Sequence, residues 1–333
     1  MIRLAIIAAI ASLAGCGSGV VAAPTSADHS AQTAASKCPC IYVANDNGTS
    51  IGVYAGSAHG RARPIRQIKG SRTKLQNPFG VAADANGNIY VANAAGKHAD
   101  NHGSVTVYGP NASGNAKPMR TIGGSNTGLD KPSGIALNPV NGDIYVVNED
   151  GGPSGVGSVT IYAPGATGNV APIGSIAGES TGLSFNEQTG IAFDTTGNLY
   201  VPNVDSVLVF AADATGNVPP IRTIRGNYTL LEGAMETALD PSGNLYVGNL
   251  NNSILVFSAG ANGNVAPTRD ISGPNTKLDF IGGLAIDGAG NAYAASYDTR
   301  TITEYAVGAT GDIKPINTIK GHALDGPLGI SIR

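Results

Sequence analysis

Short runs of alternating apolar and polar residues recur along most of the chain, separated by glycine, asparagine and proline. The runs are rich in valine, isoleucine and tyrosine, as in 104–108 (SVTVY), a composition that is typical of β-strands. Successive runs are joined by turns such as Asn86-Gly87-Asn88, in which glycine permits the positive φ of a tight hairpin. The pattern therefore predicts an all-β chain of short strands.

One unit of this pattern recurs six times and reads as four strands: G-V/I/L-A-x-D/N, then I/L-Y-V-x-N, then S-V/I-x-V/I-Y/F, then P-I/M-x-x-I-x-G. The tyrosines of the second strand are Tyr42, Tyr90, Tyr145, Tyr200, Tyr246 and Tyr293. Successive tyrosines are 46–55 residues apart, and repeats of this length indicate a solenoid or a ring of sheets. Proline opens the fourth strand of the unit, which suits an outer edge because proline has no N–H to donate.

The two ends of the repeat array complement each other. The first unit begins at its second strand, Ile41–Asn45, and the chain ends on an additional first strand at 329–333. We predict that this last strand completes the first sheet, which closes six four-stranded sheets into a β-propeller over residues 38–333. The expected innermost strands are 80–84, 134–138, 190–194, 236–240, 283–287 and 329–333.

The G-I-A-x-D and G-N-I/L-Y-V segments, spread over residues 41–333, resemble six-bladed propellers of the NHL-repeat and SMP-30/gluconolactonase-like group. The resemblance implies ligand binding on the upper face, where the loops after the second strands and those entering the innermost strands meet. For the SMP-30-like branch it also implies a lactonase with a divalent ion held by Glu, Asn and Asp. The Asn-x-Arg that usually precedes the third strand of NHL blades is not found here.

The N-terminus has the pattern of a targeting segment. Arg3 precedes a largely apolar region of ten residues, 4–13, which is too short to span a membrane as a helix. Leu13-Ala14-Gly15-Cys16 then resembles a bacterial lipobox, which implies removal of residues 1–15, acylation of Cys16, palmitate included, and anchoring in the cell envelope facing the periplasm. The alternative is an ordinary secretory signal with an accidental cysteine. Residues 16–37 read as the lipidated cysteine and a flexible tether.

Gly17 follows the lipobox cysteine. By the same resemblance, this residue favours the outer membrane in a Gram-negative cell, because it is not aspartate.

Composition narrows the possible functions. Hydrophobic residues make up 42% of the chain, which excludes global disorder. A formal charge of −3 argues against a nucleic-acid partner bound through a general basic field. The sequence contains no G-x-S-x-G, P-loop or H-E-x-x-H motif. We expect a monomer, because a closed ring needs no second subunit.

Two groups of residues near the propeller axis are candidates for chemistry. The asparagines that end the second strands, including Asn148, Asn203 and Asn249, either form a polar collar for an ion or sugar or cap turns. Glu236 replaces the glycine that begins the other innermost strands. Its carboxylate could bind a metal or act as a base, or it could pair with a neighbour or face a wet channel mouth.

The upper loops of blades two and three hold the other candidates for ligand binding. His98, Asp100 and His102 either ligate a transition metal or are solvated. Lys131 and Glu187 occupy aligned positions and could form a salt bridge on the rim. The remaining candidates, on an insertion in blade three, are Glu149 and Asp150.

Cys38-Pro39-Cys40 lies just before the first strand and lacks the C-x-x-C spacing of redox and zinc motifs. A disulfide within C-x-C would close a small, strained ring. The alternatives are two thiols or an intermolecular bridge.

Two functions fit these observations. The first is a binding or scaffold lipoprotein for a protein or carbohydrate ligand on the upper face. The second is a metal-dependent lactonase in which Glu236, Asn148, Asn203 and Asn249 hold Ca²⁺ or Mg²⁺. Its weakness is that the family's Glu-Gly-Pro survives only as the partial match Glu232-Gly233-Ala234.

Overall fold

The computed structural model describes residues 39–94, 102–151, 155, 157–185 and 190–333. These residues belong to one compact unit, Cys38–Arg333. Cys16 and the rest of the N-terminal segment lie outside the described residues. The helical content of the described part is a single 3-10 turn, Glu179–Thr181, so it contains no helix with the length and apolarity to cross a membrane.

The described strands form six antiparallel sheets of four strands each, as the repeat pattern predicted. Innermost strand first, blade one contains Pro327–Ile332, Cys40–Asn45, Ser50–Ala55 and Arg66–Lys69; blade two Pro78–Ala83, Ile89–Asn93, Ser104–Tyr108 and Arg120–Ile122; and blade three Pro132–Leu137, Ile144–Asn148, Ser158–Tyr162 and Gly174–Ile176. Blade four contains Ala192–Phe193, Leu199–Asn203, Ser206–Phe210 and Arg222–Arg225; blade five Ala234–Leu239, Leu245–Asn249, Ile254–Phe257 and Arg269–Ile271; and blade six Ile281–Ile286, Ala292–Ser296, Thr301–Tyr305 and Asn317–Lys320.

The blades follow one another in chain order around an axis, and each innermost strand contacts the innermost strands of both neighbours. The C-terminal strand closes this ring by pairing with Cys40–Asn45, with Ile41 opposite Ile332 and Val43 opposite Ile330. The predicted closure of a six-bladed β-propeller is therefore confirmed.

Each interface between neighbouring blades holds its own hydrophobic core, because every blade presents an apolar side to the blade before it and another to the blade after it. At the interface of blades six and one, Ile41, Tyr293, Ile302 and Ile330 are all buried. Each fully buried aliphatic side chain stabilises the fold by about 1.5–3 kcal/mol. The closing interface is thus packed in the same way as the other five.

The outer strand of each blade is covered by the next blade, so the rim has few open edges. The outer strand of blade two, for example, is covered by Gly168 of blade three. Gly168 donates its N–H to Thr121 O (2.7 Å), and its carbonyl accepts from Gly123 N (3.1 Å). Coverage of edge strands prevents pairing with other chains. The glycines in this position around the ring are Gly60, Gly114, Gly168, Gly216, Gly263 and Gly311.

A side chain next to the covering glycine adds a second contact between blades. Asn169 Oδ1 accepts the N–H of Asn126 (2.7 Å), and Gly124 leaves the space this amide needs: a Cβ on Gly124 would lie 2.6 Å from Asn169 Cγ. Four other junctions repeat the contact through Asn115, Asn217, Asn264 and Asp312. At the junction of blades six and one, which closes the ring, Arg61 occupies this position.

Some strand boundaries differ from those expected. The innermost strand of blade two begins at Pro78 rather than Gly80, because a shift in register between Pro78 and Val81 lets it continue toward the upper face. Blades three, five, six and one show the same early start. The outer strand of blade two begins at Arg120, two residues after the proline expected to open it.

Candidate functional site

The asparagines at the ends of the second strands connect the two sets of upper-face loops. Asn148 is fully buried; its Oδ1 accepts the N–H of Asp130 (3.0 Å), and its Nδ2 donates to Ser158 Oγ (3.3 Å) and Thr160 Oγ1 (3.1 Å). Asn203 likewise accepts from Ser184 N (2.6 Å). These amides hold an entering loop against the end of a strand, as the turn-capping interpretation expects.

Asn249 departs from this arrangement. Its Nδ2 donates to Leu230 O (3.2 Å) and Ser253 Oγ (3.1 Å), whereas its buried Oδ1 has no hydrogen-bond partner among the described residues. None of Asn148, Asn203 and Asn249 lines the axial cavity described next. The structure therefore does not bring these three amides together around an ion.

Glu236 lies at the propeller axis and faces a cavity of about 60 Å³, which is lined by residues at the inner edge of all six blades. The carboxylate occupies space that Gly190 of blade four leaves open: a Cβ on Gly190 would lie 2.0 Å from Glu236 Oε2. The backbones of blades four and five also join directly here, because Gly190 N donates to Met235 O (2.8 Å) and Thr237 N to Gly190 O (3.1 Å). The Glu236 side chain thus packs against blade four at the axis.

Burial is the main influence on the Glu236 carboxyl. Removal from water raises its pKa well above the usual value, and a hydrogen bond from the backbone N–H of Leu284 opposes this only in part. The neutral acid is therefore favoured over a wider pH range than for an exposed glutamate. A protonated carboxyl is a poor metal ligand and a poor base.

The residues at the axis do not fit the divalent ion that the SMP-30-like resemblance implies. The side-chain oxygens lining the cavity are those of Glu236 and of the hydroxyls Ser133 and Thr237, and Thr237 already donates to Gly190 O (3.0 Å). Ca²⁺ takes six to eight oxygen ligands, usually with several carboxylates. Within the described ranges, no group of three or more His, Cys, Asp or Glu is placed to hold a metal ion.

The loop candidates of blades two and three are only partly described. Lys131 forms an ion pair with Asp150, and each side chain is about half exposed. This contact raises the pKa of Lys131, chiefly through the hydrogen bond that its ammonium donates to the Asp150 carboxylate. Glu149 donates its backbone N–H to Lys131 O (3.3 Å), and His102 is half-buried. His98, Asp100 and Glu187 lie outside the described residues.

The sequence analysis missed a large concave surface, which we call the rim groove. It lies between blades one and two, has a volume of about 970 Å³, and is lined mainly by 69–71, 74–76, 102–104 and 117–121. A charge signal was present in the sequence: residues 59–77 contain six Lys or Arg and no Asp or Glu. The second wall comes from a segment some forty residues later, so the pattern of one repeat could not show the groove.

Comparison with known proteins supports the fold and nothing finer. No family model matches the sequence, and no curated protein does. A protein of unknown function from Bacteroides caccae is similar in structure, with a TM-score of 0.62 at 11% identity over 89% of this chain and 99% of that chain. A functionally unknown protein from Desulfotomaculum acetoxidans DSM 771 gives 0.55 at 13% identity, over 85% of this chain and 80% of its own.

Proposed function

We propose that this protein is a lipid-anchored binding module of the bacterial cell envelope, with an NHL-like propeller that presents a site for a protein or carbohydrate ligand. The rim groove is the observation that carries this proposal. Its volume of about 970 Å³ suits a ligand, since binding sites usually occupy about 300–1,000 Å³. The axial cavity of about 60 Å³ has room for about two water molecules.

The same comparison of volumes favours binding over lactone hydrolysis. A lactonase of the SMP-30-like type needs a metal and a substrate together at the axis, and the cavity beside Glu236 is too small for a sugar lactone. The donor set at Glu236 does not fit the metal either. The rigid ring, with a packed core at every interface, instead suits a scaffold that presents loops and grooves.

The location is inferred from the lipobox-like sequence at Cys16 and the polar tether that follows it. Several acyl chains on Cys16 would hold the protein stably on a membrane, at about 0.8 kcal/mol per buried CH₂ group. A bacterium expressing the full chain and fed an alkyne-labelled palmitate should label the wild type and Cys40→Ser but not Cys16→Ala. Labelling of Cys16→Ala would contradict the anchor.

The binding role is tested by photo-crosslinking in intact cells. A photoreactive amino acid at Met119, which lines the rim groove, should give a discrete adduct, whereas the same residue at Val140, an exposed position in blade three, should not. Purified protein should show no lactone hydrolysis that depends on Glu236. Adducts at neither site, together with hydrolysis lost in Glu236→Gln, would overturn the proposal in favour of an enzyme.

A further inference from the structure

Charge is distributed unevenly around the ring. Residues 47–129, which include the two outer strands of blade one and all of blade two, contain nine Lys or Arg and two Asp or Glu. Residues 130–333 contain nine Lys or Arg and nineteen Asp or Glu. The protein as a whole has a net charge of −3, but residues 47–129 form a basic sector that attracts anions. Residues 130–333 are strongly acidic.

The rim groove lies within this basic sector. Lys69, Lys74 and Lys117 line it, all three are exposed, and none forms an ion pair with a described carboxylate. No Asp or Glu is among the described residues that line the groove. The guanidinium of Arg120 is already engaged, donating to Tyr90 Oη (3.2 Å) and Ala166 O (3.3 Å). The three lysines are therefore free to contact negative groups on a ligand.

Part of the groove wall is apolar. Leu75, Pro118 and Met119 line it, and the Met119 side chain is 58% exposed. Methionine is flexible and polarisable, so it adapts to varied aliphatic partners. The described lining contains no Phe, Tyr or Trp on which a nucleobase or a sugar ring would stack.

These features together select one class of ligand. An acidic polysaccharide would satisfy the lysines but leave the apolar wall against water. An acidic peptide with aliphatic side chains satisfies both surfaces. We propose that the rim groove binds a short acidic segment of a partner protein, with carboxylates on Lys69, Lys74 and Lys117 and aliphatic groups on Met119. This inference rests on the proposed function and specifies its ligand.

Fluorescence anisotropy with the full-length protein tests the inference. The probe is a labelled short peptide in which aspartate and leucine alternate, compared with peptides in which lysine replaces aspartate or serine replaces leucine. The aspartate–leucine peptide should bind best, and added salt should weaken its binding because exposed charges are screened. The triple variant Lys69→Gln/Lys74→Gln/Lys117→Gln should lose roughly tenfold in affinity, since three exposed ion pairs together contribute about that much.

The repeat supplies matched controls. Lys320, Lys277 and Lys314 occupy the same repeat positions as Lys69, Lys74 and Lys117, and Lys277 shares the positive φ of Lys74 (64° and 61°). The triple variant Lys320→Gln/Lys277→Gln/Lys314→Gln changes the net charge by the same amount as the groove variant, and it also replaces one lysine with positive φ. It should nevertheless leave peptide affinity unchanged. Met119→Ser should weaken binding severalfold, whereas Ile316→Ser at the matching position of blade six should not. Unchanged thermal unfolding of each variant would confirm that it is folded.

Equal peptide affinity for the wild type and the groove triple variant would overturn the inference. Preference for polygalacturonate over the peptide, or binding of the aspartate–serine peptide as tight as that of the aspartate–leucine peptide, would do so as well. These outcomes leave the broader binding function standing if a photoreactive residue at Met119 still captures a ligand in cells. Failure of both experiments would remove the function itself.

Discussion

At the scale of single residues, glycine sets how closely the innermost strands approach one another. A Cβ on Gly80 would lie 2.6 Å from Ser133 O, and one on Gly329 would lie 2.3 Å from Phe79 O, so alanine at either position would meet fixed backbone. Gly190 differs because the atom it would meet belongs to the Glu236 side chain. The unusual glutamate and the usual glycine therefore form one packing unit.

This arrangement predicts a coupling between two substitutions. Gly190→Ala should destabilise the protein by about 1–3 kcal/mol, because the added methyl group overlaps the enclosed Glu236 carboxyl. In a Glu236→Ala background the same change should cost at least about 1 kcal/mol less. Urea unfolding of the four proteins measures the coupling. Gly80→Ala, which meets backbone instead, should not be relieved by Glu236→Ala, and equal costs of Gly190→Ala in both backgrounds would contradict the prediction.

The raised pKa of Glu236 predicts a pH effect on stability. Because the folded-state pKa lies above the ordinary glutamate value of 4.5, the folded protein binds more protons than the unfolded chain between these two values. Stability from this group is therefore present at low pH and is lost as pH rises through the folded-state pKa. Glu236→Gln, which cannot ionise, should gain stability over the wild type as pH increases.

Thermal melts from pH 4 to 8 measure this difference. Glu179→Gln, which removes an exposed carboxyl, serves as the control and should follow the wild type at every pH. A constant difference between Glu236→Gln and the wild type across the range would show that Glu236 does not titrate abnormally.

At the scale of elements, the loop between the third and fourth strands joins neighbouring blades. Its glycine pairs with the outer strand of the preceding blade, and its asparagine accepts a backbone N–H from that blade's next loop. Two residues that look like ordinary turn formers in the sequence thus also form an interface. This dual role explains why Gly-Asn recurs at this point of the repeat when turn formation alone would accept other residues.

Asn169→Ala should therefore destabilise the protein by about 1 kcal/mol, through loss of the acceptor for Asn126 N. Arg61→Ala changes the same repeat position at the closing junction, where no such contact is made, and should fall within about 0.5 kcal/mol of the wild type. Chemical denaturation compares the two. Equal effects would mean that the contact contributes nothing beyond the turn.

At the scale of the whole molecule, stability depends on closing the ring. Only the C-terminal strand supplies the innermost position of blade one, and it buries Leu328 and Ile330. The residue after this strand, Arg333, also pairs with the first strand, since Cys40 N donates to Arg333 O (2.5 Å) and Arg333 N to Cys40 O (3.0 Å). Removing this strand exposes two apolar surfaces and an unpaired edge at once.

Deletion of residues 327–333 should lower the melting temperature sharply, because each buried aliphatic side chain lost costs about 2–5 kcal/mol. A synthetic peptide with the sequence of 327–333 should restore part of this loss in a concentration-dependent way, since it binds only the folded chain. The same peptide with serine at the position of Ile330 should restore less. A truncated chain that melts like the full chain would show that the ring does not depend on its closure.

The sequence determined the strands, the turns, the number of blades and the closure. The strands and turns depend on residues within one repeat, because alternating valine and isoleucine form strands and glycine permits the turns. The number of blades and the closure follow from the count and order of the repeats. The spare strand at 329–333 could be read because the first unit lacked one. The start of the innermost strand of blade two at Pro78 could not be predicted from the sequence, because it follows from a register shift against the partner strand.

Only the tertiary structure decided what the exceptional residues contact. Glu236 meets Gly190, forty-six positions earlier, and its environment follows from the convergence of six strands at the axis. The rim groove likewise combines Lys69 with Lys117, which lie in different repeats. Local sequence encodes local geometry, whereas a site formed between blades depends on how the completed blades pack, and no single repeat contains that information.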